Sequence, residues 1–177
     1  SVSAQDSVPT GISFKPDGTK MYVAGATSDR VHQYSLSTAW DLSTATYDDN
    51  SIRVATQETA IQSVAFNDDG TKMFILGTGS DAIFQYTLTT AWDVTTAIYD
   101  NILFDVSVQE NSPTGMFFRP TGTNVYIVGN NSDAIFGFDI INPWNVATVD
   151  NSFLSLVDLD TAPQNLRFST DGTKMYM

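Results

Sequence analysis

The sequence predicts an all-β fold, a β-propeller arc of three complete four-stranded blades plus partial blades at both ends. Three observations predict it. The chain repeats every 52 residues, as the spacing of Gly18, Gly70 and Gly122 and of Trp40, Trp92 and Trp144 shows. Each copy carries a glycine turn between two short apolar runs. None of these runs shows the spacing of an amphipathic helix.

The copies span 7–58, 59–110 and 111–160, with a partial fourth over 161–177, and the first two are identical at 23 of 52 positions. Strand one alternates at Ile12 and Phe14, Val64 and Phe66, Met116 and Phe118, and Leu166 and Phe168, the period of a pleated strand. The turns that follow read KPDGTK, NDDGTK, RPTGTN and STDGTK, where Pro or Asp sets the first bend and Gly supplies a positive φ. Strand two is a continuous apolar run over 21–24, 73–76 and 125–128, as expected of a strand covered on both faces. A polar loop leads to strand three, RVHQYSL, AIFQYTL and AIFGFDI, whose alternation puts His32, Tyr34 and Leu36 on one face. A connection holding the Trp leads to strand four, expected over 52–56, 103–108 and 153–157. Four strands in about 50 residues is the size of a propeller blade.

Ser1 aligns with Arg53 and Met177 with Val23, so residues 1–6 are expected as a strand of a preceding blade and both ends fall inside a blade. The expectation is a single arc, 1–177, cut from a longer ring, with self-assembly of arcs as the alternative. An open arc leaves unpaired edges and uncovered faces.

The phrase FKPDGTKMYV from Phe14, followed by VHQYSL from Val31, resembles the YVTN-type propeller repeat, and the resemblance covers nearly the whole chain. It implies blades arranged in a ring, mostly of seven. Surface, secreted and enzyme-like proteins share the repeat, so it implies no single activity.

The formal charge is 8 − 20 = −12, and Asp supplies 18 of the 20 acids, a bias toward turn formers. With its eight cations scattered, so acidic a chain lacks the footprint of a nucleic-acid binder. The absence of Cys removes thiolate and disulfide chemistry, and a single His, His32, removes most metal and triad chemistry. No apolar run approaches the roughly 18 residues of a membrane span, and no membrane insertion is expected.

Asp29, Asp81 and Asp133 recur before strand three, where a carboxylate orders a loop by accepting backbone N–H groups; the sharper alternative is a set of Ca²⁺ contacts. Trp40, Trp92 and Trp144 are expected to plug the gaps between blades, or else to form aromatic platforms for a sugar or a partner chain. His32 stands where Phe84 and Phe136 stand in the other copies and reads as a packing residue, while Lys20, Lys72 and Lys174 read as solvating the hairpin edge. No catalytic set and no cofactor signature is present.

The function expected on this basis is non-catalytic: a recognition or display module, extracellular, cell-surface or virion-borne, that binds protein or carbohydrate partners through repeated loops. The alternatives are a structural part of a larger assembly, and a hydrolase or lactonase with an active site partly outside this segment.

Overall fold

The computed structural model describes residues 1–132, 134–157, 163–169 and 171–176, and of 151–157 the backbone alone. It is all-β, with no α-helix among the described residues. The first sheet contains β1 (Pro9–Phe14), β2 (Lys20–Gly25), β3 (Arg30–Leu36) and β4 (Ala45–Arg53), and the second β5 (Ile61–Phe66), β6 (Lys72–Gly77), β7 (Ala82–Leu88) and β8 (Ala97–Asp105). The third contains β9 (Pro113–Phe118), β10 (Asn124–Gly129), β11 (Ala134–Ile140) and β12 (Val149–Val157), and β13 (Arg167–Phe168) pairs with β14 (Met175–Tyr176). Each four-stranded sheet is an antiparallel meander in sequence order, the topology of a propeller blade.

Blades pack through their first strands, β1 against β5 and β5 against β9. Small residues permit the approach: Gly11 lies against the backbone of Gln62 and Ser63, and Gly115 against Gln164 and Asn165. Between the first two blades, Tyr22, Val31, Ile61, Val64, Met73 and Ile75 share one core, and a second core joins blades two and three around Phe74, Ile83, Met116 and Ile127. The β2 and β6 strands are buried almost throughout, as their unbroken apolar runs require.

The structure corrects two expectations. Strand four begins earlier than 52–56 and 103–108, at Ala45 and Ala97, because the polar stretch before it is strand rather than loop. Its register slips by a bulge, with Gln33 opposite Asn50 and Tyr34 opposite Tyr47, and Asp49 (φ 60°) and Asn101 (φ 58°) take the left-handed conformation there. Residues 1–6 form no strand. They repeat the turn of residues 54–58, with the Gln5 and Asp6 amides on the Val2 carbonyl as those of Gln57 and Glu58 are on Val54. The end of the third copy (158–160), parts of the fourth (161–162, 170 and 177) and Asp133 lie outside the described residues.

Candidate functional site

Each Trp sits just before a 3-10 turn that Asp41, Asp93 or Asn145 caps, its side-chain oxygen accepting the amide of Ser43, Thr95 or Ala147. Trp40, Trp92 and Trp144 have φ of 66°, 66° and 60°, and each amide donates to the carbonyl of its turn glycine at 3.0 Å. The indole then lies against Gly18, Gly70 or Gly122, where a Cβ would come within 2.2–2.6 Å of its ring atoms. The turn glycine is therefore required twice, for its φ of 70–73° and for the space it leaves. A Phe on strand one completes the stack: Phe14, Phe66 and Phe118 lie 5.3, 5.6 and 5.4 Å from their indoles.

Two of the three indoles are also interblade wedges. The Tyr22 hydroxyl donates to the Trp92 carbonyl at 2.8 Å, and Phe74 stacks on Trp144 at 6.1 Å. Trp40 has no such neighbour among the described residues and is 59% exposed.

Trp92 and Trp144 line a common cleft of about 200 Å³ at the hairpin end of the blades, together with Asn67, Asp68, Pro120 and Arg167. Arg167 donates to the Ile12 carbonyl at 3.2 Å; solvent reaches it, though the surrounding protein lowers its pKa by desolvation. Desolvation, then the charge of Asp69, raises Asp68 above the ordinary carboxylate range. The cleft thus combines aromatic walls with an amide, a carboxylate and a guanidinium.

At the opposite end the loop-ordering acids are not Asp29 and Asp81. Both take left-handed backbone (φ 52° and 48°) and give their carbonyls to Val54 and Val106. Their carboxyls do other things: Asp29 lies 3.7 Å from Arg53, and Asp81 Oδ1 is buried without a partner. Desolvation and then the charges of Glu58, Asp105 and Glu110 raise the Asp81 pKa. Among the described residues no three His, Asp or Glu side chains are placed to hold a metal ion.

The loops are ordered instead by Asp6, Glu58 and Glu110, all at least nine-tenths buried. Glu58 accepts the amides of Ala60, Gly79 and Ser80 at 2.7, 2.9 and 3.1 Å, and Glu110 those of Ser112, Asn131 and Ser132 at 2.8, 3.1 and 3.0 Å. Asp6 takes the Val8 and Ser28 amides and the Ser28 hydroxyl. Desolvation raises its pKa, but the hydrogen bonds from Ser28, Val8 and Thr27 together outweigh it and leave the pKa lowered. The signal was available: the chain has only two Glu, 52 residues apart.

His32 is buried at 4% exposure, with Nε2 3.1 Å from the Ser28 hydroxyl and Nδ1 unpartnered. Burial is the main cause that lowers its pKa, so the imidazole is neutral near pH 7. The order His32, Ser28, Asp6 is not that of a catalytic triad, because the hydroxyl bonds the carboxylate directly and the imidazole has no orienting acid.

Lys20 and Lys72 do more than solvate the hairpin edge: their ammonium groups lie 3.2 and 4.0 Å from Asp48 and Asp100. Those carboxylates also accept from Gln33 and Gln85 at 2.8 Å, and each Gln carbonyl oxygen reaches into the next blade to the amide of Val94 or Val146, at 3.2 and 3.1 Å. This buried Gln clamp was not anticipated from the sequence, where Gln33 and Gln85 read as the polar side of an alternating strand.

No family model matches this sequence, and no curated protein matches it. Solved structures do. The periplasmic gluconolactonase of Pseudomonas aeruginosa superposes with a TM-score of 0.58 at 18% identity, over 84% of this chain and 39% of that one. A chain of the nidogen/laminin complex gives 0.62 at 17%, over 94% and 55%, and the β-propeller domain of a Myceliophteria thermophila protein gives 0.55 at 13%, over 89% and 46%. These likenesses show the propeller fold, and this chain spans roughly half the length of those proteins.

Proposed function

We propose that this chain is a recognition module of a β-propeller of the YVTN-like kind, which binds a polar partner, a glycan or a protein loop, at the hairpin end of its blades. The observation that carries the reading is the cleft where Trp92 and Trp144 meet Asn67, Asp68 and Arg167. Flat apolar walls beside hydrogen-bonding groups suit a sugar ring or a polar loop. Asp6, Glu58, Glu110 and the Gln33 and Gln85 amides are committed to holding loops and blades together. A complex with a partner chain fits the same fold, as in the nidogen/laminin structure. The test is a glycan array and a protein pull-down on the intact chain. Hits that alter tryptophan emission and weaken on Asp68→Asn or Arg167→Ala support the reading, and blank results from both screens remove it.

A second reading, a propeller hydrolase, is favoured by the same pair of charges and by the gluconolactonase neighbour. Lactone hydrolysis by the intact chain that disappears on Arg167→Ala would support it, and hydrolysis left unchanged by both Arg167→Ala and Asp68→Asn would dismiss this cleft as its site.

A further inference from the structure

The cleft lined by Trp92 and Trp144 holds two charged side chains that the fold leaves without a counter-charge. Arg167 donates to one acceptor, the Ile12 carbonyl, and among the described residues no carboxylate stands within ion-pair distance of it. Lys15, Lys20, Lys72 and Arg53, by contrast, each face an Asp. Desolvation is the cause that lowers the Arg167 pKa, so the guanidinium has given up part of its water without gaining an acid. Asp68 receives no hydrogen bond from the described residues; burial and the charge of Asp69 are what raise its pKa.

Asn67 is not free in the same way. Its Nδ2 donates to the Thr71 hydroxyl at 3.1 Å and its Oδ1 accepts the Lys72 amide at 2.8 Å, so both atoms are engaged in the hairpin. The groups left for a ligand are one guanidinium, one carboxylate and two indole walls. A ligand that satisfies all of them carries an acid for the guanidinium, hydroxyl donors for the carboxylate and a C–H face for an indole. A space of about 200 Å³ suits one six-membered sugar ring rather than an oligosaccharide.

Resting on the reading of this cleft as a recognition site, we propose that its ligand is a uronic acid residue, whose carboxylate pairs with Arg167 while its ring hydroxyls donate to Asp68. The guanidinium offers parallel N–H groups that match a carboxylate and no neutral sugar oxygen, and the Ile12 carbonyl holds one of its nitrogens in place. Asp68 accepts from the hydroxyl side of the ring, away from the acid. The net charge of −12 opposes a polyanion, so the acid is an isolated one in an otherwise neutral glycan. An acidic peptide side chain would satisfy Arg167 but brings no hydroxyls for Asp68 and no ring for the indoles.

The test follows tryptophan emission of the intact chain at neutral pH on addition of methyl glucuronide or methyl glucoside, two sugars that differ only in the acid. The glucuronide should bind roughly tenfold or more tighter. Arg167→Gln should bring the two affinities together, and Arg167→Lys, which keeps the charge but not the fork, should fall between, with β-sheet circular dichroism checked for each variant. The amide of N-acetylaspartate supplies an acid without a ring and should bind roughly tenfold or more weakly than the glucuronide. Equal affinity of the wild type for the two sugars overturns the proposal, as does a preference that persists in Arg167→Gln or a peptide probe that binds as well as the glucuronide. Binding of neither sugar overturns it too. The recognition reading fails separately, on its own blank screens: a chain that takes neutral glycans or a protein loop at this cleft keeps that reading and loses only the acid.

Discussion

Blades one and two are identical at 23 of 52 positions, yet the same residues live in different surroundings. In blade two, Trp92 is half-buried under Tyr22 and Val94 is sealed, whereas in blade one Trp40 and Leu42 face solvent. In blade one His32 replaces Phe84, and Arg53 faces Asp29 where Asp105 neighbours Asp81. The Trp stack on its glycine survives without a neighbouring blade, so that motif belongs to the single blade. Burial of the 3-10 turn does not survive, so that property belongs to the interface. The repeat therefore encodes a sheet with its own caps, and stacking supplies the rest, as in other repeat architectures.

The sharpest way to break this comparison is a charge at the matched turn position. Val94→Asp places a carboxylate in a sealed interblade core and should cost about 3–5 kcal/mol, whereas Leu42→Asp should stay within about 0.5 kcal/mol. Urea melts of the two variants check it; equal costs would mean that the blade-two turn is not sealed by blade one. Next in size is the glycine pair. Gly70→Ala and Gly18→Ala share the left-handed penalty of about 1–2 kcal/mol. Trp92 is pinned by Phe66 and Tyr22, so Gly70→Ala should add about 1–3 kcal/mol of overpacking, while exposed Trp40 can swing aside. Thermal melts of both variants give the difference directly, and a difference near zero would show that the second indole also yields.

Much of this architecture is legible in the sequence, for reasons the residues make plain. Glycine turns, alternating Phe and Ile, and the recurring Trp are local signals, and local signals survive in one dimension. What escaped is non-local. Gln33 reads as the polar side of a strand because its partner, the Val94 amide, lies 61 residues on. Asp6 and Glu58 carry no local signal of their role, because most of the amides they collect come from a loop about 20 residues downstream. Asp81 reads as the loop-ordering acid because Asp before a strand is a common turn signal. The polar YDDN stretch looked like loop, and the bulge at Asp49 explains how it is strand nonetheless. The cleft of Trp92, Trp144 and Arg167 was half legible: the aromatics recurred, but strand one of the fourth copy gave no sign of meeting them.

A smaller effect concerns the position where the two blades differ in kind. His32 is buried with one ring nitrogen unpartnered, while Phe84 fills the same place with no polar atom to satisfy. His32→Phe should therefore raise stability by about 1 kcal/mol at neutral pH. Burial disfavours the charged imidazole, so the wild type should lose stability as pH falls through the ordinary His range near 6.5, and the variant should lack that component. Denaturant midpoints at pH 7.5 and 5.5 measure both; a destabilised variant would mean that the Ser28 hydrogen bond outweighs the orphaned nitrogen.

The smallest predicted effect has opposite signs in the two blades. Asp81 is buried at one carboxyl oxygen and surrounded by Glu58, Asp105 and Glu110, and its pKa is raised above 3.8 in the fold. A carboxyl with a raised folded pKa opposes folding once ionised, so its cost is present at neutral pH and vanishes as pH falls below the unfolded value, where both states are protonated. Asp81→Asn keeps a residue that tolerates the left-handed backbone and removes the charge. It should stabilise the chain by a few tenths of a kcal/mol at pH 7, after allowance for solvent screening, and by less near pH 3.5. Asp29→Asn instead removes the partner of Arg53 and should be neutral or slightly destabilising at pH 7, since that pair is long and its arginine 61% exposed. Paired denaturation curves at the two pH values decide the matter: if both substitutions shift stability the same way, the neighbouring acids of blade two are not what sets Asp81 apart.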